Sequence, residues 1–174
     1  MDSVDLEVLK RSADWLDAGR RVLLVTVVKT WGSSPRPPGA MLAVRDDGLV
    51  AGSVSGGCIE DDIVDRTRRL GMTQTRAEAV TYGVSAAEAR RFGLPCGGTI
   101  QLVLEPLTRE SGMRALLREI EAGHLVARRL DVALPRSLTE PVVDAAALRV
   151  LVAEVVAQRR LGARGDKLFR GQHK

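Results

Sequence analysis

Aromatic side chains are scarce. Two Trp, one Tyr and two Phe make up 3% of 174 residues, so any core must be filled by Leu, Val, Ile and Ala. Cysteine and histidine are rarer still, at two each. Cys58, Cys96, His124 and His173 stand at spacings that match no zinc cluster, which needs about four such ligands. The same shortage argues against a Cys–His hydrolase, since nothing in the chain pairs His124 with either thiol. Two cysteines also make no disulfide framework of the secreted kind. No apolar run approaches the roughly 18 residues of a membrane span, and the opening MDSVDLEVLKRSADW is acidic where a secretory leader would be positive. The expectation is a cytoplasmic protein with reduced thiols. The dinucleotide fingerprint G-x-G-x-x-G is missing too, and the helix–strand units are too few for a complete doubly wound sheet.

What is present is an ordinary globular composition, 45% hydrophobic and 28% charged, in a chain long enough for one domain with an appendage. The net charge of +4 is unevenly placed. Residues 1–148 carry 19 Lys/Arg against 20 Asp/Glu, and residues 149–174 carry 7 against 2. The basicity belongs to the tail. A nucleic-acid binder would want it on the body, so nucleic acid is not an expected partner.

Periodicity predicts a helix over residues 5–18, with Leu6, Leu9, Ala13 and Leu16 at helical spacing, Trp15 beside them and Gly19 as its stop. Residues 22–28 are a nearly continuous run of β-branched residues and leucine, which predicts a strand covered on both faces. A stiff loop follows, Trp31-Gly32-Ser33-Ser34-Pro35-Arg36-Pro37-Pro38-Gly39, where three prolines fix φ. Asp46-Asp47-Gly48 between two apolar runs predicts a hairpin. The hairpin leads to Gly52-Ser53-Val54-Ser55-Gly56-Gly57-Cys58-Ile59-Glu60-Asp61-Asp62, and a helix is expected over 58–70, stopped by Gly71. Its early acids and late arginines suit the helix dipole, so capping accounts for Glu60, Asp61 and Asp62 as simply as catalysis would. Further on, a strand is expected over 73–80, a short helix over 86–91, a strand over 100–105 closed by Pro106, a helix from Met113 to about Ala122, and a strand near 125–133. Residues 136–174 are expected to be a basic, partly helical tail, with an Ala- and Val-rich helix over 142–158. The fold class expected is α/β or α+β, a single domain with a mixed sheet, flanking helices and no complete Rossmann domain.

Chemistry concentrates in two loops that set a cysteine beside a glycine pair, Gly56-Gly57-Cys58 and Cys96-Gly97-Gly98. A cysteine at a helix start has a lowered pKa, and thiols suit soft metals, sulfur transfer and redox work. Glycine-loop amides, Ser53, Ser55, Ser33, Ser34 and Arg36 suit a phosphate or carboxylate. A phosphorylated cofactor carrying a metal–sulfur centre would need both sets. Two other readings stand beside it: a small thiol oxidoreductase or sulfur-transfer protein, which lacks the usual C-x-x-C spacing, and a non-catalytic interaction module whose basic tail docks an acidic surface.

Three stretches in order, Thr26–Met41, Gly52–Glu60 and Gly93–Thr99 running into Leu104-Glu105-Pro106-Leu107, resemble the motifs of the XdhC/CoxI family over about residues 8–135. The resemblance implies an N-terminal-type domain (residues 1–135) of a maturation factor for molybdenum hydroxylases of the xanthine dehydrogenase or aerobic carbon monoxide dehydrogenase type. It implies molybdenum cofactor (molybdopterin) as cargo, a cysteine desulfurase as sulfur source, and the apo-hydroxylase large subunit as recipient. The protein would be a carrier more than a catalyst, with no catalytic residue assigned. The implied cofactor-binding residues are Cys58, Cys96, Ser53, Ser55, Gly56, Gly57, Gly97, Gly98, Ser33, Ser34 and Arg36, with Cys58 and Cys96 towards the molybdenum and Glu60 completing the second motif. Longer members continue into a Rossmann-like domain that is missing here. The chain then reads as a stand-alone N-terminal-type member, a split partner of a separate C-terminal-type protein, or a truncated product; if the second domain contributes to the cleft, a homodimer or a separate C-terminal-type partner is expected to complete it.

Overall fold

The computed structural model describes residues 3–32, 36–83, 92, 98–124, 126, 128, 130 and 132–133. The element order is α1 (Ser3–Asp17), β1 (Val22–Trp31), β2 (Met41–Arg45), β3 (Val50–Gly52), α2 (Cys58–Leu70), β4 (Ala77–Tyr82), β5 (Thr99–Leu107), a 3-10 turn (Arg109–Ser111), α3 (Met113–Glu121) and β6 (Val132–Ala133). The strands form one open sheet in the order β3-β2-β1-β5-β4-β6. Five strands pair antiparallel, and the two-residue β6 adds in parallel to β4. This is the mixed single-domain sheet with flanking helices that the sequence implies, without a Rossmann repeat.

The two faces of β1 explain why its sequence does not alternate. Leu23, Val25 and Val27 enter one core with Leu42, Val44, Leu102 and Leu104, closed by Ile59 and Ile63 of α2. Val22 and Leu24 point the other way, into a core made with Leu9, Ala13 and Leu16 of α1 and Met113 and Leu117 of α3. A strand buried on both sides has no polar face to show.

α1 ends where Gly19 was expected to stop it. Gly19, at φ 74°, donates to the Leu16 carbonyl and Arg20 to that of Trp15, the paired bonds that satisfy a helix's last carbonyls. Several boundaries differ from expectation. β1 does not end at Val28 but runs on to Trp31, which therefore closes a strand and does not open the proline loop. Pro106 does not close β5, because it lies opposite Leu23 and the strand runs on to Leu107; a proline is tolerated near a strand end, where a ladder N–H can be spared. The strand expected over 73–80 is β4 at 77–82, where Ala77, Ala79 and Tyr82 are buried. Of the strand expected near 125–133, only Val132–Ala133 is a strand among the described residues. The helices expected at 86–91 and within 142–158 lie outside the described residues.

Candidate functional site

The strand registers gather the three motifs at one end of the sheet. Trp31 at the end of β1 lies opposite Thr99 at the start of β5. Tyr82 at the end of β4 lies opposite Ile100. Met41 at the start of β2 and Gly52 at the end of β3 meet at the same end, through Thr26 and Leu42. The chain leaves β1 after Trp31, β3 after Gly52 and β4 after Tyr82 at that end, and enters β2 and β5 there. Contact between the first and third motifs is direct: a Cβ on Gly32, at φ 70°, would stand 3.3 Å from the Gly98 Cα, so Gly32 cannot take a side chain without a shift.

The second motif is built around one carboxylate. Gly52 carries the chain out of β3 at φ 86°, where a Cβ would come within 2.3 Å of the Met41 carbonyl oxygen and 2.4 Å of Val8 Cγ2; only glycine fits. Val54 is fully buried and pins the loop to the core. Glu60, in the first turn of α2, then folds back over it. Its Oε1 accepts from the amides of Val54 (2.8 Å), Ser55 (2.8 Å) and Gly56 (3.0 Å) and from Ser53 Oγ (2.8 Å). Its Oε2 accepts from the Gly57 amide (2.9 Å) and from Ser55 Oγ. The bond to Gly57, the residue before the helix, is half of a capping box; glycine has no side chain to return the other half. Burial alone would raise the Glu60 pKa. The hydrogen bonds from Ser55, Gly56 and Ser53 outweigh it and hold the group at about 2.

This arrangement changes the reading of the glycine loop. Sequence reasoning offered its amides to an external anion, and in the fold they are turned onto an internal one. Ser53 and Ser55 donate to the same carboxylate. The signal was in the sequence, a Glu three residues after the cap, but it was legible there only as helix capping. Asp62 also has a structural partner, accepting from the Tyr82 hydroxyl at 3.0 Å, and Tyr82 meets Phe92 edge to face, with centroids 4.9 Å apart.

The other candidates are placed as follows. Cys58 is the first residue of α2, directly after the exposed Gly56 and Gly57. Arg36 is exposed on the proline loop, and Gly98 is buried. Ser33, Ser34, Cys96 and Gly97 lie outside the described residues. Among the described residues, no group of three or more His, Cys, Asp or Glu converges into a metal site, and no helix is long and apolar enough to cross a membrane.

Comparison with known proteins agrees with this geometry. Residues 15–83 match the XdhC and CoxI family, a span holding the first two motifs but not the third. The chain is 34% identical over 124 residues to the molybdenum cofactor insertion chaperone PaoD of Escherichia coli, covering 71% of this chain and 38% of that protein. It is 30% identical over 97 residues to a probable xanthine dehydrogenase subunit of Bacillus subtilis, covering 55% and 29%. The crystal structure of a xanthine dehydrogenase from Bacillus halodurans superimposes with a TM-score of 0.54 at 28% identity, over 68% of this chain and 34% of that one. The chain thus spans about a third of the length of the relatives it matches. Residues 15–83 therefore place this portion of the chain in the XdhC and CoxI family, as an N-terminal-type domain.

Proposed function

We propose that this chain carries molybdenum cofactor and assists its sulfuration and insertion into a molybdenum hydroxylase of the xanthine dehydrogenase or aerobic carbon monoxide dehydrogenase type. The observation that carries the reading is that the ends of β1, β3 and β4 and the starts of β2 and β5 meet at one end of the sheet, in a chain similar to an insertion chaperone. Cys58 opens α2 at that end, and its thiol, with that of Cys96, contacts the molybdenum–sulfur end of the cargo. Arg36, Ser33, Ser34 and the amides of Gly97 and Gly98 hold the phosphate. The Val54–Gly57 amides serve the scaffold instead. Bound to Glu60, they keep the loop rigid and set where α2 begins. Rigidity of that kind holds a site open at little ordering cost when cargo binds.

In this reading a cysteine desulfurase supplies the sulfur, and the apo-hydroxylase large subunit receives the cargo. A second copy of the chain or a separate C-terminal-type partner completes the cleft. The test is analysis of the full chain purified from cells with intact cofactor biosynthesis. Molybdenum and releasable pterin are expected in near-stoichiometric amount, and Cys58→Ser and Cys96→Ser should lower both. Folded protein carrying neither would overturn the reading. Full loading of both serine variants would remove the thiol roles alone.

A further inference from the structure

An irregularity in β1 re-aims its last residues. Val27 lies opposite Leu102, but Lys29 lies opposite Gln101, so Val28 is an extra residue in the ladder. Opposed residues share a face of the sheet, and a bulge turns the side chains beyond it to the other one. Without the bulge, Lys29 and Trp31 would follow Val25 and Val27 into the core under α2. With it, they stand on the opposite face, in rows with Gln101 and Thr81 and with Thr99.

That part of the face is open. Lys29, Thr81, Thr99 and Gln101 are half-buried, and Trp31 is 42% exposed. Trp31 stands out in a chain this poor in aromatics: among the described residues, Trp15, Tyr82 and Phe92 are buried. Lys29 Nζ sits 4.6 Å from the centroid of the Trp31 ring, which holds the indole in place and puts a positive charge beside it. A fixed indole, a cation and the Gln101 amide thus sit at the sheet end where the motif loops leave.

We infer that Trp31 is the stacking surface for the flat heteroaromatic ring of the cargo, with Gln101 placed to hydrogen-bond its edge and Lys29 to favour its anionic end. A pterin has a π-face and an amide-like donor and acceptor edge, and this set complements both. The inference rests on the carrier reading above and names the part of the chain that takes the ring end of the same ligand. Stacking of a nucleobase on an aromatic side chain is worth about 1–3 kcal/mol, a factor of roughly 5 to somewhat over 100 in affinity.

The experiment uses the full chain freed of cargo and molybdenum cofactor extracted from a donor enzyme, with binding followed by retained pterin and by tryptophan emission. Trp31→Phe should keep binding within a few-fold, and Trp31→Leu should weaken it by about 5-fold to somewhat over 100-fold with an unchanged melting temperature. Quenching seen in the wild type should vanish in Trp31→Phe, since buried Trp15 remains in both. If Trp31→Leu binds as tightly as wild type, the stacking role is overturned and the carrier reading stands. If the wild type binds no cofactor at all, both fall together.

Discussion

Replacing Glu60 by Gln removes a charge and changes little else in shape. The carboxylate accepts from four backbone amides and two serine hydroxyls. An amide side chain can accept only through its single oxygen and presents two donors to groups that also donate. Holding the carboxyl at about 2, against an ordinary 4.5, corresponds by linkage to roughly 3 kcal/mol. The group is half-buried, so solvent screening brings the figure to roughly 1–2 kcal/mol. The sign follows from the depressed folded value. The stabilisation is complete above about pH 4.5 and is lost as pH falls towards 2. Urea unfolding of both proteins at a series of pH values from 7 to 3 is the assay. At pH 7 the variant should be less stable by roughly 1–2 kcal/mol, or several degrees in melting temperature, and the gap should narrow steadily below pH 4.5. A variant as stable as wild type at pH 7, or a gap that does not change with pH, would refute the view that the loop is held by an ionised Glu60.

Two further substitutions test the packing around the site. Gly52→Ala should cost roughly 2–4 kcal/mol by thermal melt, through strain at positive φ and overlap with backbone, whereas Gly56→Ala, at φ 90° with nothing within 4 Å of its Cβ, should cost only roughly 1 kcal/mol; equal costs would show that the Met41 contact is not what demands glycine. Arg128 donates to both oxygens of Glu105, one bond at 2.7 Å, and Glu105 is buried. Arg128→Met should therefore cost roughly 3–5 kcal/mol by stranding that charge, while Arg128→Met with Glu105→Leu should recover most of it; a double variant as unstable as the single would refute the pairing argument.

The fold was legible wherever a local rule and the tertiary environment agree. The Val22–Val28 run spelled out a doubly buried strand because both faces meet apolar layers. α2 was bounded correctly, from Cys58 to Leu70, because its acids and arginines match the helix dipole and Gly71 follows. Pro106 misled because the rule that prolines close strands ignores position: only Leu107 follows it in β5, and Leu23 is its partner on β1. The bulge at Val28 left no mark at all. Its cause is the register imposed by β5, a pairing about 75 residues away in the chain, and no window centred on β1 contains that information.

The site was legible in its location and not in its internal allegiances. Glycines, serines and a cysteine together do mark a loop where backbone donors are bunched, and the strand registers bring the ends of β1 and β4 and the start of β5 to the same end of the sheet. What composition cannot say is whose charge those donors serve. A nest of amides is attractive to any anion, and the nearest is one the chain supplies, four residues beyond Gly56. Once Glu60 is in place, the loop has little left to offer a phosphate, and its value shifts from binding to geometry: it fixes the first residue of α2. Ligand-binding capacity must then come from the neighbouring segments. That is why Trp31, which composition had marked only as the first residue of a stiff loop, gains weight as the one open aromatic among the described residues, and why a deletion of the Glu60 carboxylate and a deletion of the Trp31 ring should fail differently. The first should loosen the scaffold, with a pH signature. The second should leave stability intact and weaken only the hold on a flat ligand.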